Sequence, residues 1–135
     1  MFIISILEAE DFGDELYPVM RENLIGIINQ EPVGAIIAAG DTKGMIYRLL
    51  TELAIEYPYI FFTILLSSDR LAYETDSTNC PHILSLDCNI AYGDPRTAKQ
   101  RCRKTIIEHS DIVICRKKYC NDIREYNCRC DIIVV

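Results

Sequence analysis

No apolar run in this chain approaches the ~20 residues that a membrane-spanning helix needs, so no transmembrane helix is expected. The opening residues, MFIISILEAEDFGDE, carry no basic stretch and turn acidic at once. A secretory leader is therefore not expected, and the cytoplasm is the expected compartment. No CxxC pair occurs, and the only histidines are His82 and His109. Zinc sites are usually built from ligand pairs about two to four residues apart, so the standard zinc patterns are missing. Neither a P-loop nor a dinucleotide-binding glycine fingerprint is present. There is no internal repeat and no low-complexity segment.

Basic residues are scarce in most of the chain. Residues 1–93 hold 4 basic and 14 acidic residues, whereas residues 94–135 hold 10 basic and 6 acidic. The net charge of −6 argues against non-specific nucleic-acid binding as the main role. The basic last third suits an anionic ligand, a solvated face or the acidic face of a second subunit.

The 135 residues and 15.5 kDa fit a single domain spanning 1–135, and a composition half apolar and a quarter charged is that of a globular protein. The cysteines are Cys80, Cys88, Cys102, Cys115, Cys120, Cys128 and Cys130. An odd number without a leader argues against a disulfide scaffold and for reduced thiols, some of them buried. Five fall within residues 102–130, so structural zinc stands as the lesser alternative.

Apolar runs alternate with amphipathic stretches. Residues 1–7 (MFIISIL), 33–39 (VGAIIAA), 59–66 (YIFFTILL), 111–115 (DIVIC) and 131–135 (DIIVV) read as strands buried on both faces. Residues 82–86 suit a further short strand. A helix starting between 14 and 18 and ending near Gln30 carries Leu16, Val19, Met20, Leu24, Ile27 and Ile28 as its stripe, with Asp14 suited to cap it and Pro18 to its first turn. A second helix places Ile46, Leu49, Leu50, Leu53, Ala54 and Tyr57 on one face and stops before Pro58. A third runs from Pro95 to His109, capped by Asp94, with Ala98, Cys102, Ile106 and His109 on one face. A short helix is expected around 122–127, and residues 71–95 read as mostly irregular. The expected fold is α/β: a three-layer, Rossmann-like, mainly parallel sheet with helices on both faces.

In such a sheet, ligands bind beyond the carboxyl ends of the strands, near the switch point. That rule selects residues 8–15, 40–44, 67–70 and 116–120. Gly40, Asp41, Thr42, Lys43 and Gly44 join a strand to a helix, where glycine lets the backbone approach a phosphate and the helix start presents free N–H groups. The same glycines equally suit a tight turn. Ser67, Ser68, Asp69 and Arg70 offer hydroxyl, carboxylate and guanidinium groups for a ribose or phosphate, or form an ordinary capped loop. Arg116 and Lys117 add charge. His109 sits at the amino end of its strand and reads as a helix-terminal residue; no nucleophile–histidine–acid set is present.

Two stretches, IIAAGDTKGMIYRLLTELAIEYPYIFFTILLS (36–67) and QRCRKTIIEHSDIVIC (100–115), resemble the SLOG superfamily, the Rossmann-like proteins that include LOG phosphoribohydrolases, DprA-type domains and YpsA-like proteins. The resemblance implies a nucleotide-derived small molecule bound by the turn at 40–44 and the loop after DIVIC, and a homodimer. Where the enzyme branch carries a second glycine-rich turn and a catalytic glutamate, this chain has RKKYCN (116–121), without glycine. The expected function is thus non-catalytic binding of a nucleotide derivative, with no cofactor. The alternatives are an N-glycosidase acting on nucleoside monophosphates, with Glu52 or Glu125 as its carboxylate, and a small oligomeric scaffold or thiol/metal sensor.

Overall fold

The first apolar run forms the middle of a sheet. In the computed structural model, which describes residues 1–40, 44–66, 83–87 and 95–135, it is strand β1 (Phe2–Ile6), hydrogen-bonded on both sides. The other strands are β2 (Val33–Gly40), β3 (Phe61–Leu66), β4 (Ile83–Asp87), β5 (Ile112–Cys115) and β6 (Asp131–Val134). Their spatial order is β4-β3-β2-β1-β5-β6, and every neighbouring pair is parallel.

Parallel pairing requires crossover connections, and helices supply them. Helices α1 (Tyr17–Gln30) and α2 (Met45–Glu56) lie between successive strands on one side of β1. Helix α3 (Pro95–Glu108) carries the chain from β4 at one edge back past β1 to β5, and α4 (Cys120–Tyr126) links β5 to β6.

Alternation along the strands divides the core into two layers. Ile4 and Ile6 of β1, Ile36 and Ala38 of β2 and Phe62 and Ile64 of β3 pack with Met20 and Leu24 of α1 and with Leu49, Leu50 and Leu53 of α2. The intervening positions Leu7, Ala39, Val113 and Cys115 pack with Cys102, Ile106 and Ile107 of α3 and Ile123 of α4. Helices therefore cover both faces, which makes the three-layer α/β architecture.

Some boundaries differ from the sequence reading. Asp14 does not cap α1. It opens a 3-10 turn, Asp14–Leu16, and the helix follows with Pro18 in its first turn, where a missing N–H costs nothing. β3 starts at Phe61, because Tyr57 to Ile60 form a turn closed by Ile60 N donating to Tyr57 O at 3.1 Å. In α3, Cys102 and Ile106 are buried as expected, but Ile107 joins them and His109 is exposed past the helix end. Its Nδ1 lies 2.9 Å from Thr105 O, a helix-terminal contact. The expected cap Asp94 and His82 lie outside the described residues.

Candidate functional site

The sheet reverses direction between β1 and β5: strands two to four run outward on one side of β1, and β5 and β6 lie on the other. At such a reversal the loops leaving the two strands diverge and open a crevice at their carboxyl ends. Here the loops are residues 7–12 and 116–119.

The first loop begins with a backbone irregularity. Leu7 N still donates to Ile114 O at 3.1 Å, prolonging the sheet. Glu8 then adopts φ 52° and ψ 64°, the sole non-glycine positive φ among the described residues. For a residue with a Cβ this left-handed conformation costs about 1–2 kcal/mol. It turns the chain into the 3-10 turn Ala9–Asp11, closed by Asp11 N donating to Glu8 O at 2.9 Å and followed by the buried Phe12.

Glu8 is also buried, at 6% exposure. A carboxylate this buried needs a charged partner, and Arg103 of α3 donates to it from Nη2. The Arg103 Nε is buried without a hydrogen-bond acceptor among the described residues. Its guanidinium also lies 5.3 Å from the centre of the Tyr119 ring.

Tyr119 closes the connection from the second loop. Its hydroxyl donates to Asp11 Oδ2 at 2.8 Å, and Lys118 Nζ lies 3.3 Å from the same oxygen and 5.1 Å from the ring centre. Burial, then the bond to Asp11, push the Tyr119 pKa above its usual value. The Lys118 ammonium is held above its usual range by its bonds to Tyr119 and Asp11. At neutral pH the site thus holds a phenol that keeps its proton and an ammonium that keeps its charge.

Beyond this cluster the crevice opens into a pocket of about 430 Å³ lined by Asp11, Arg116, Lys117 and Lys118. Among the described residues, three cations face one carboxylate. Arg116 is half-buried and Lys117 is exposed.

The remaining residues selected from the sequence fall in several places. Gly40 is the last residue of β2. A Cβ there would stand 2.5 Å from Ala9 Cβ and 3.3 Å from Ala9 N, so its glycine lets the Ala9–Asp11 turn lie on the strand end. Gly44 precedes α2 with φ 90°, a conformation that favours glycine, and a Cβ there would meet no neighbour within 4 Å. Asp41, Thr42, Lys43, Ser67, Ser68, Asp69 and Arg70 lie outside the described residues. Glu52 accepts a hydrogen bond from the Tyr17 hydroxyl and lies 3.8 Å from Arg21, while Glu56 takes both oxygens to Arg21 at 2.7 and 2.9 Å. These pairs tie α2 to α1. Glu125 is an exposed residue of α4, and neither it nor Glu52 lines the pocket.

Sequence reasoning selected both loops of the crevice but not Glu8, Asp11, Arg103, Lys118 or Tyr119 as a set. The available signal was an acidic loop after one strand facing a basic loop after another. Arg103 carried no signal, because it neighbours the buried Cys102 on a helix whose exposed side is also basic.

The described cysteines are all free: Cys102, Cys115 and Cys130 are buried, Cys120 is half-buried and Cys128 exposed. Among the described residues no group of three or more histidine, cysteine or acidic side chains is arranged to hold a metal ion, and no helix is long and apolar enough to cross a membrane. In comparisons with known proteins, no family model, curated protein or solved structure matches this chain.

Proposed function

We propose that this chain binds a phosphate-bearing, nucleotide-derived small molecule in the crevice between β1 and β5, without transforming it. The observation that carries this reading is the pocket at the sheet reversal, where Arg116, Lys117 and Lys118 surround the carboxylate of Asp11. Arginine and lysine supply charge-assisted donors for phosphate oxygens. Asp11 supplies an acceptor for sugar hydroxyls, the role an acidic residue plays in many sheets of this kind. The SLOG resemblance of residues 36–67 and 100–115 favours the same ligand class.

The non-catalytic part rests on how the carboxylates are held. A general base must be able to take a proton from the substrate or an attacking water. Glu8 is turned to Arg103, and Asp11 already accepts from Tyr119 and meets Lys118. Glu8 ties the first loop to α3, and Asp11 ties it to the second loop. A homodimer and a cytoplasmic setting accompany this reading.

Calorimetric titration of the purified chain with nucleoside 5′-monophosphates tests it. Binding that weakens with salt, and at least tenfold in the Arg116→Ala/Lys117→Ala variant, is expected. Heat that is absent across the common nucleotides, or unchanged in that variant, would reject the site. Release of free base during incubation would reject the non-catalytic part and favour an N-glycosidase.

A further inference from the structure

Four cysteines share the core layer beneath α3 and α4. Cys102, Cys115 and Cys130 are buried there, and the half-buried Cys120 packs against the same apolar cluster. Two of them bracket the second loop of the crevice: Cys115 ends β5 and Cys120 begins α4. Between them the 3-10 turn Lys117–Tyr119 reverses the chain, closed by Tyr119 N donating to Arg116 O at 3.1 Å and by Cys120 N donating to Lys117 O. The reversal returns Cys120 to the same apolar cluster that holds Cys115.

The two thiols differ in access. Cys115 is fully buried. Its pKa is pushed up to about 12, chiefly by burial, then by the charge of Cys120 and a side-chain hydrogen bond with it, and then by Cys130. It holds its proton and does not meet outside reagents. Cys120 can be reached from solvent.

We propose that Cys115 and Cys120 form a reversible dithiol–disulfide site, oxidised by low-molecular-weight disulfides, that locks the loop forming the basic wall of the crevice. In the first step Cys120 gives its proton to water and its thiolate attacks one sulfur of the reagent. The reagent's S–S bond breaks, one thiolate leaves, and Cys120 carries a mixed disulfide. In the second step the Cys115 thiol attacks the Cys120 sulfur and passes its proton to the reagent's second thiolate, which leaves as the thiol. Two cysteine thiols are oxidised to one disulfide while the reagent is reduced to two thiols. Access orders these steps, because only Cys120 can be struck first. Any effect of the bridge on ligand affinity rests on the reading proposed above; formation of the bridge does not.

The test uses the reduced full chain, without nucleotide, incubated with oxidised glutathione and then alkylated. Trypsin cuts after Arg116, Lys117 and Lys118, so a bridge from Cys115 to Cys120 joins two separate fragments, whatever the other cysteines do. The expected result is a transient glutathione adduct on Cys120 followed by this joined pair, with slower amide exchange across residues 116–119 than in the reduced chain. Dithiothreitol should reverse both. Cys120→Ser should give neither adduct nor bridge at these positions. Cys115→Ala should hold the Cys120 adduct without resolving it. Circular dichroism of Cys120→Ser, whose site is half-exposed, confirms that the fold survives in the control. A Cys120 adduct that persists in the wild-type chain, or a bridge from Cys120 to Cys130 instead, would overturn the proposal.

Discussion

The hydroxyl of Tyr119 donates a hydrogen bond to Asp11 across 2.8 Å, joining the loop that leaves β5 to the loop that leaves β1. Since these loops form the two walls of the crevice, this bond sets its width. Tyr119→Phe keeps the ring and its contacts with Arg103 and Lys118 but removes the donor. A loss of about 1 kcal/mol in urea denaturation is expected. In a double-mutant cycle with Asp11→Asn, a coupling of similar size is expected. Additive effects would mean that the bond does not hold the walls together.

The pair formed by Glu8 and Arg103 should respond far more strongly. Glu8 is buried, and removing Arg103 takes away a charged donor that faces it. Arg103→Met should destabilise the chain by about 3–5 kcal/mol. Adding Glu8→Gln removes the buried charge and should restore much of that loss. A small effect of Arg103→Met, measured by thermal or urea unfolding, would mean that Glu8 reaches water.

Two glycines give opposite expectations. At Gly40 a Cβ would stand 2.5 Å from Ala9 Cβ, so Gly40→Ala should displace the Ala9–Asp11 turn and cost about 1–3 kcal/mol. At Gly26, within α1, a Cβ meets nothing within 4 Å, and Gly26→Ala should stabilise the helix by about 0.5–1 kcal/mol. Chemical denaturation of both variants checks the pair. Equal effects would show that the turn does not rest on the strand end.

Tyrosine ionisation supplies a pH test. The Tyr119 pKa is raised above the ordinary tyrosine value of 10.0, first by burial and then by its bond to Asp11. A raised pKa means that the folded chain binds this proton more tightly than the unfolded chain does. The resulting contribution is fully present below pH 10.0 and is lost as pH rises through the folded value. Ultraviolet titration of tyrosinate should therefore show a late-ionising group that is missing in Tyr119→Phe, and stability should fall on the alkaline side. The Tyr17 pKa is also raised, chiefly by its hydrogen bond to Glu52, so the late fraction should shrink in Tyr119→Phe without vanishing.

The fold was legible because strands buried on both faces read as unbroken apolar runs, as in IIAA of β2 and DIVIC leading through β5. The layer assignment was legible for α2, where Ile46, Leu49, Leu50, Leu53 and Ala54 are buried as expected; Met45 joins them, and Tyr57 lies past the helix end, half-buried. It was less so for α3, where Ile107 rather than His109 completes the buried face: the chain leaves helical geometry at the junction, so a stripe extrapolated through it misplaces the last position. The crevice was legible as two loops, because the strand-end rule needs only the order of the elements. Its internal pairing was not. Glu8 reads as a solvent-facing acid in a polar loop, and only the left-handed turn after Leu7 buries it. Arg103 lies 95 residues from Glu8 in the chain, and no local pattern links them. Gly40 carries two demands that look alike in sequence, since a glycine that admits a ligand and one that admits a neighbouring turn are the same residue.

The most direct measurement of the central claim is a backbone-amide NMR titration of the reduced chain with adenosine 5′-monophosphate, followed by inorganic phosphate as the simpler anion. The account predicts saturable shifts concentrated at residues 8–12 and 116–119, weaker with phosphate alone and lost in Arg116→Ala/Lys117→Ala. Shifts confined to the outer face of α1, or none at millimolar nucleotide, would contradict a nucleotide-binding crevice between β1 and β5.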